Sequence, residues 1–312
     1  MMRAIVDKLL SNVAIGYFPE GYIAHLVFPE VKVKQSTGKI GKFNNLLRIV
    51  NTVTGGRGKS NQIDTRSYAS QGYEIINHAL HDILTPEDFE NTDLPFDPMA
   101  DATRALQHLL MLGEEKGLAD TLSDALVITM NNTLAGTDQF SDWTNSDPLK
   151  QITIMGDAIL DACGVAMDTL VMDQKVFNKL KYHPQLFDVL GFKFKASVPA
   201  SPLTAEQIGE AFGVRRVLVA NARYNAAAKG QSESLQPVWG KHLIGLVSPA
   251  KAEVSQIASG YRVSRTRDQR AKVFKSPVDD PPDSMKLLVQ NNYGQVLVEP
   301  TKTIYLLKDV IA

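Results

Sequence analysis

SDWTNSDPLKQITIMGDAILDACGVAMDTLVMDQKVFNKLKYHP, residues 141–184, is the stretch whose reading decides the fold. Ser146-Asp147-Pro148 supplies a capping oxygen and then proline at the first helical position, where its fixed φ fits and its missing N–H is not needed. Ile152, Met155 and Ile159 recur at helical spacing and give that helix one buried face. Gly164 closes the helix, Thr169-Leu170-Val171-Met172 reads as a short strand, and Asp173 caps a second helix carrying Val176, Phe177 and Leu180. His183-Pro184 is expected to end the unit. The parts make a packing module, and nothing in them is arranged for catalysis.

The rest of the chain bounds what such a module can serve. Its 312 residues suffice for two packed domains, and 44% hydrophobic with 21% charged residues is the balance of a globular protein with real cores. A formal net charge of −1 argues against a dedicated nucleic-acid binder, which would be strongly basic. No apolar run approaches the ~18 residues of a membrane helix. The opening residues, interrupted by Asp7, Gly16, Pro19 and Glu20, lack a signal-peptide core. The single cysteine, Cys163, excludes an intrachain disulfide and reads as a buried, inert thiol.

Ahead of the module, the first thirty-odd residues are apolar and broken by turns, an extended arm whose aromatics dock on a surface. Phe43 to Val50 and Ile63 to Tyr68 read as strands around a glycine-rich tip, TVTGGRGKSNQ. A two-stranded ribbon is marginal alone in water, so it must lie on its own domain or on a neighbour. Asp97-Pro98 opens a helix with Met99, Ala102, Leu106, Leu109 and Leu110 as its apolar stripe. Running to about Ser123, it would span nearly ~38 Å, the length of a strut. Beyond the module, Thr204 and Gln207 form a capping-box pattern before Ile208, Ala211 and Phe212. Gly213 stops that helix, and strands are expected at Val217 to Ala220 and His242 to Val247, with a polar loop over 223–236. The tail is β-rich: Arg262 to Phe274, a proline-rich break at Pro277 to Pro282, then Met285 to Gln290, Gln295 to Val298, and Thr303 to Lys308.

Sites for small-molecule chemistry fail on their patterns. GGRGKS at 55–60 invites a phosphate-loop reading, but the first glycine of that motif would fall at Val53, and the residues after Ser60 look extended. His78 and His81, with Asp82 adjacent, have the spacing of two ligands on one helical face, yet no third ligand follows; a solvated helix surface is the plainer expectation. No strand–turn–helix nucleophile elbow and no dinucleotide fingerprint occur. No catalytic, cofactor-binding or metal residues are assigned.

Charge is segregated despite the near-zero total. Lys32, Lys34, Lys39, Lys42, Arg48, Arg57, Lys59 and Arg66 make the ribbon basic. Asp82, Glu87, Asp88, Glu90, Asp93, Asp97 and Asp101 make the entry to the strut acidic. A second basic stretch runs through Arg262, Arg265, Arg267, Arg270, Lys272 and Lys275. Solvated faces explain any one of these residues. Together they point to subunit contact, with Arg57, Lys59 and Arg66 as candidate partners of Asp88, Glu90 and Asp93 on a neighbour.

The order of arm, glycine-tipped ribbon, long helix, αβ unit and β-rich return resembles the Hong-Kong-97-type capsid fold of tailed-bacteriophage major capsid proteins. The most specific pieces are Ser146-Asp147-Pro148 with Ile152 and Ile159, Thr169 to Met172, Leu180 with His183-Pro184, and Val238-Trp239-Gly240-Lys241. Where relatives often show Pro-Asn before the strand, this chain has Met167-Asp168, which leaves that turn open. The resemblance implies an α+β fold with an N-terminal arm (1–35) and an extended β-ribbon loop (36–74). It implies a peripheral domain with a long spine helix (75–145 and 251–312) and an axial αβ domain (146–250). It further implies a structural protein whose hexamers and pentamers form an icosahedral shell around double-stranded DNA, touched non-specifically through backbone charge. The expected location is the virion capsid, with assembly in the host bacterial cytoplasm. Partners would be further copies of the chain, a portal and a decoration protein; the long N-terminal scaffolding segment of some relatives does not precede the arm here, so either scaffolding comes from a separate protein or this sequence is a shortened form. Some members join subunits by a lysine–asparagine bond; no local motif here matches. An encapsulin-like compartment shares the fold, and a Rossmann-like enzyme is the remote alternative.

Overall fold

A computed structural model describes residues 5–42, 49, 52–53, 69–90, 97–193, 202–228, 230–251, 257–268, 270–278 and 282–312. The strands expected at 43–50 and 63–68 and the glycine-rich tip between them lie outside the described residues, save Ile49, Thr52 and Val53.

The decisive stretch folds as its signals require. In α5 (Pro148–Cys163) the Asp147 carboxylate accepts the Lys150 N–H at 2.9 Å, and Gly164 ends the helix at φ 73°, donating to the Leu160 carbonyl. Ile152, Met155, Ile159 and Cys163 face inward. They cover one side of a mixed sheet ordered β6 (Asn131–Thr133), β15 (Ile304–Lys308), β11 (Leu243–Leu246), β7 (Thr169–Asp173), β8 (Arg216–Ala220). Of its neighbouring pairs only β7–β8 and β6–β15 run parallel, which removes the doubly wound Rossmann-like alternative. Leu170 and Met172 point to the α5 side and Val171 to the other. Burial on both faces is why this strand is an unbroken apolar run.

Asp173 caps α6 (Gln174–Leu180), accepting the Lys175 N–H at 2.8 Å. His183-Pro184 does not end the unit: Pro184 opens α7 (Pro184–Lys193), where a residue without N–H is tolerated, while His183 is buried with its ring nitrogen 3.0 Å from Ser146 Oγ. The Thr204–Gln207 capping box is formed at α8 (Ala205–Phe212), and Gly213 closes it at φ 68°. The stretch expected as loop after β8 contains a small antiparallel hairpin, β9 (Arg223–Asn225) with β10 (Leu235–Pro237).

On the other face of the sheet lies α4 (Pro98–Ser123), the expected strut, 26 residues or about 39 Å long. Asp97 accepts the Met99 N–H at 3.0 Å and Pro98 takes the first turn. Its buried stripe runs through Leu106, Leu110, Met111, Leu118 and Leu122. Leu109, expected in that stripe, is 54% exposed, because the buried arc is centred on Gln107, Leu110, Glu114 and Leu118 and Leu109 lies on the opposite side of the helix.

A second sheet packs along α4. It is ordered β1 (Ile5–Val6), β13 (Lys272–Val278), β14 (Ser284–Leu297), β12 (Gly260–Arg265), β2 (Glu30–Val33), with β5 (Ile76–Leu84) also on β14. Two expectations are corrected here. The segments at 285–290 and 295–298 belong, up to Leu297, to one 14-residue strand, since Asn291 to Tyr293 continue the pairing with β5 instead of turning. Residues 76–84, with His78 and His81, form a strand and not a helix surface; nine pairings to β14 override the local pattern. The proline-rich break also begins later than expected, as Pro277 lies within β13 opposite Met285.

The N-terminal segment threads between the two sheets. α1 (Lys8–Gly16), capped by Asp7, packs on α4, and α2 (Ala24–Val27) buries Val27 and Phe28 between α4 and the five-stranded sheet. The base of the ribbon is present as β3 (Thr37–Lys42) paired antiparallel with β4 (Ala69–Glu74). α3 (Pro86–Glu90) follows β5, and the short α9 (Pro300–Thr303) leads from β14 into β15. Thus β15, from the tail, completes the sheet built mainly by 146–250. No helix among the described residues is long and apolar enough to cross a membrane.

Candidate assembly interface

The surfaces able to meet another subunit are positioned by a buried polar junction on α4. Its neighbouring acids, Glu114 and Glu115, point to different partners. Glu115 Oε2 accepts the N–H groups of Ile23 (3.0 Å) and Ala24 (2.7 Å), while its Oε1 accepts the indole N–H of Trp239 at 2.6 Å. One carboxylate therefore ties the arm, the strut and the loop before β11 together, which gives Trp239 its role. Burial pushes the Glu115 carboxyl up, against the lowering effect of those donors. Glu114 pairs with Arg262 of β12 at 2.7 Å, both buried. Arg262 also lies 4.8 Å from the Tyr293 ring centre, and His78 stacks on that ring at 4.4 Å. Burial works against the Arg262 charge, but the attraction and hydrogen bond of Glu114 outweigh it and raise its pKa.

From this junction two surfaces project. The ribbon base leans on β14 at Gly294, where any Cβ would collide with the Glu74 carbonyl oxygen. Next to it β5 runs with Ile76 (53% exposed), Leu80 and Ile83 open to solvent, and its far end leads into the acidic α3.

Of the expected contact residues, Asp88 and Glu90 are on α3 and exposed. Asp88 is held by the N–H and hydroxyl of Thr85 (2.7 and 2.9 Å), and these hydrogen bonds lower its pKa. Arg57, Lys59, Arg66 and Asp93 lie outside the described residues. Glu114, Glu115 and Arg262 were not singled out by the sequence as a unit. The only signal was a Glu-Glu pair inside an otherwise apolar helical stripe.

Other polar groups serve the fold. Cys163 is buried, and burial raises its thiol pKa. Asp173 holds Arg223 through two contacts (2.5 and 3.2 Å), and Asp309 N–H donates to His242 Nδ1 at 3.3 Å. Among the described residues no group of three or more His, Cys, Asp or Glu could hold a metal ion.

Comparison with known proteins gives this architecture its class. The chain superposes over 99% of its length on 98% of a phage-related protein from Bordetella bronchiseptica RB50, with TM-score 0.71 and 22% identity. It superposes over 94% of its length on 89% of a chain of the cyanophage P-SCSP1u capsid, with TM-score 0.58 and 11% identity. The fold is the α+β Hong-Kong-97-type capsid fold. In sequence the chain is similar to the major capsid protein of Burkholderia phage BcepMu, 27% identical over 245 residues that make up 77% of this chain and 75% of that protein. Its likeness in sequence is thus to phage major capsid proteins, which are structural proteins and not enzymes. No protein-family model matches the chain.

Proposed function

We propose that the chain self-assembles as hexamers and pentamers into an icosahedral shell enclosing double-stranded DNA. The supporting observation is that likeness in fold to a cyanophage capsid chain and to a phage-related protein extends over 94% and 99% of this chain instead of stopping at one domain. The apolar edge of β5 and the ribbon base suit burial against a neighbour. Assembly would take place in the host bacterial cytoplasm with a separate scaffolding protein and a portal, and a decoration protein would add to the finished shell. Contact with DNA would be non-specific and steeply salt-dependent.

Within this reading the basic ribbon, through Arg57, Lys59 and Arg66, lies over the neighbour's Asp88, Glu90 and Asp93. Complementary charge there sets encounter and register more than final affinity. Negative-stain imaging and sizing of the purified protein test the shell. Capsomers or closed particles are expected, and a small oligomer that never assembles at any concentration overturns the reading. Reversing Arg57 and Lys59 to glutamate should slow assembly most at low salt; unchanged assembly across salt removes the ribbon contact.

A further inference from the structure

The second basic stretch of the sequence is not one solvated face. Lys275 pairs with Asp7 at 2.7 Å, and Lys272 pairs with Asp268 at 2.8 Å, with Arg265 at 4.0 Å from the same carboxylate. Arg262 takes Glu114 at 2.7 Å and lies 3.7 Å from Glu30. Arg267 and Arg270 remain, and Lys32 of β2 joins them around a recess of about 390 Å³ that Ser264 and Asn292 also line. The acids in its wall are already engaged. Glu30 accepts from Ser264 Oγ at 2.6 Å, and Asp268 holds Lys272 and Asn292.

Arg270 is the telling residue. Its guanidinium carbon stands 4.1 Å from the ring centre of Phe18, which fixes the group against the arm. Its Nη2 is buried and has no hydrogen-bond partner among the described residues. Among them, no carboxylate lies within ion-pair distance of Arg270, Arg267 or Lys32. A buried guanidinium N–H left unmade costs free energy that an incoming oxyanion would recover, and an arginine fork suits a carboxylate.

We infer that this recess, walled by Lys32, Arg267 and Arg270, receives an aspartate or glutamate side chain from a second copy of this chain. The inference rests on the proposed assembly and adds a contact separate from the ribbon. A single flexible side chain can enter a recess that ends at the buried Nη2 of half-buried Arg270, whereas a duplex presents its phosphates on a convex, stiff surface. The near-neutral chain, with 34 acidic and 33 basic residues, carries the complementary charge itself.

The test is assembly of the full chain, followed by sedimentation against protein concentration at fixed ionic strength. Lys32 and Arg267 are exposed, so K32Q/R267Q is expected to fold as the parent does; R270Q, which touches the arm, is the stronger second variant. Each should raise the concentration needed for assembly, by about tenfold for R270Q if the pair is worth a charge-assisted hydrogen bond. Inorganic phosphate should inhibit parental assembly beyond chloride of equal ionic strength and have no extra effect on the variants. If folded K32Q/R267Q assembles at the parental concentration and phosphate acts only as salt, the inference is overturned and the shell reading stands. It is equally overturned if the variants assemble normally but bind a short DNA duplex more weakly, which would make DNA phosphate the occupant. Failure of the parent to assemble at all removes the shell reading itself.

Discussion

The five-stranded sheet with α5 and the junction on α4 are both buried, yet they are held together by different physics. Under α5 the contacts are apolar: Met155, Ile159, Leu170 and Met172 are fully buried and none offers a directional bond. At the junction, Glu114, Glu115, Arg262 and Trp239 are almost as deeply buried but meet through charge and N–H donors at fixed distances. Apolar packing tolerates rearrangement at constant volume, whereas a polar network is costly when one member is removed. The first region specifies a core; the second specifies the angle at which arm, strut and sheet meet. For a shell-forming subunit that angle is the quantity repeated in every copy.

The sharpest way to break the contrast is Arg262→Met. It strands Glu114 in the interior, and the expected loss is about 3–5 kcal/mol of unfolding free energy in urea titration. Glu114→Leu combined with Arg262→Met should cost much less than Arg262→Met alone, since a buried pair can be traded as a pair. If the single and double variants are equally unstable, the ion pair is not what holds the junction. Gly294→Ala is next. Its Cβ meets the backbone oxygen of Glu74, which cannot swing aside like a side-chain tip, so the ribbon base must shift. A loss of about 1–3 kcal/mol is expected, with faster amide exchange in β3 and β4 than in β7.

The two regions were also unequally legible in the sequence. Helix α5, strand β7 and the capping box at Thr204 could be read because caps, glycine stops and helical spacing are local signals. Strut α4 was legible in length but not in its working residues: its stripe predicted Leu109 inside and gave no role to Glu115, whose partners lie 91 to 124 positions away. Strand β5 was misread for a related reason. Ile75, Ile76, Ala79, Leu80, Ile83 and Leu84 recur at helical spacing, and only pairing with β14, some 200 residues on, makes the segment extended. The sequence stated no site for small-molecule chemistry, and its assembly residues were legible only as charge segregation.

A smaller effect comes from acid. His25 is packed against Phe18 with the ring centres 5.1 Å apart, and burial, with the Arg270 charge, lowers its pKa to about 4. The unfolded chain therefore binds this proton first. Stability from His25 is complete above about pH 6.5 and is lost as pH falls through about 4. His78, His183 and His242 are shifted in the same direction by burial and add to the slope. Glu115 acts the other way: its raised pKa means that the fold binds that proton more readily, which relieves the cost of the buried charge as pH falls. Urea midpoints followed by fluorescence should decline below about pH 6.5, and the decline should be shallower in His25→Phe. Trp239, 1% exposed beside Glu115, is the informative fluorophore, and Trp143 (45% exposed) is the reference. Parallel slopes in parent and variant would exclude His25 as a contributor.

The least effect is expected where the contrast predicts tolerance. Met155 sits at the centre of the apolar region, and Gly245 of β11 lies so close to its sulfur that an added Cβ would press on Met155 and Met167. Leucine has nearly the volume of methionine and one fewer rotatable bond, and among the described residues no hydrogen bond is made to the sulfur. Met155→Leu should therefore cost less than about 1.5 kcal/mol and leave assembly unchanged. Arg262→Lys, formally as conservative, should cost more, because a lysine ammonium cannot reproduce the guanidinium contacts to both Glu114 oxygens and the Tyr293 face. If Met155→Leu proves the costlier, the tight approach of Gly245 makes the core under α5 a shaped fit, and directional contact is no longer what separates the two regions.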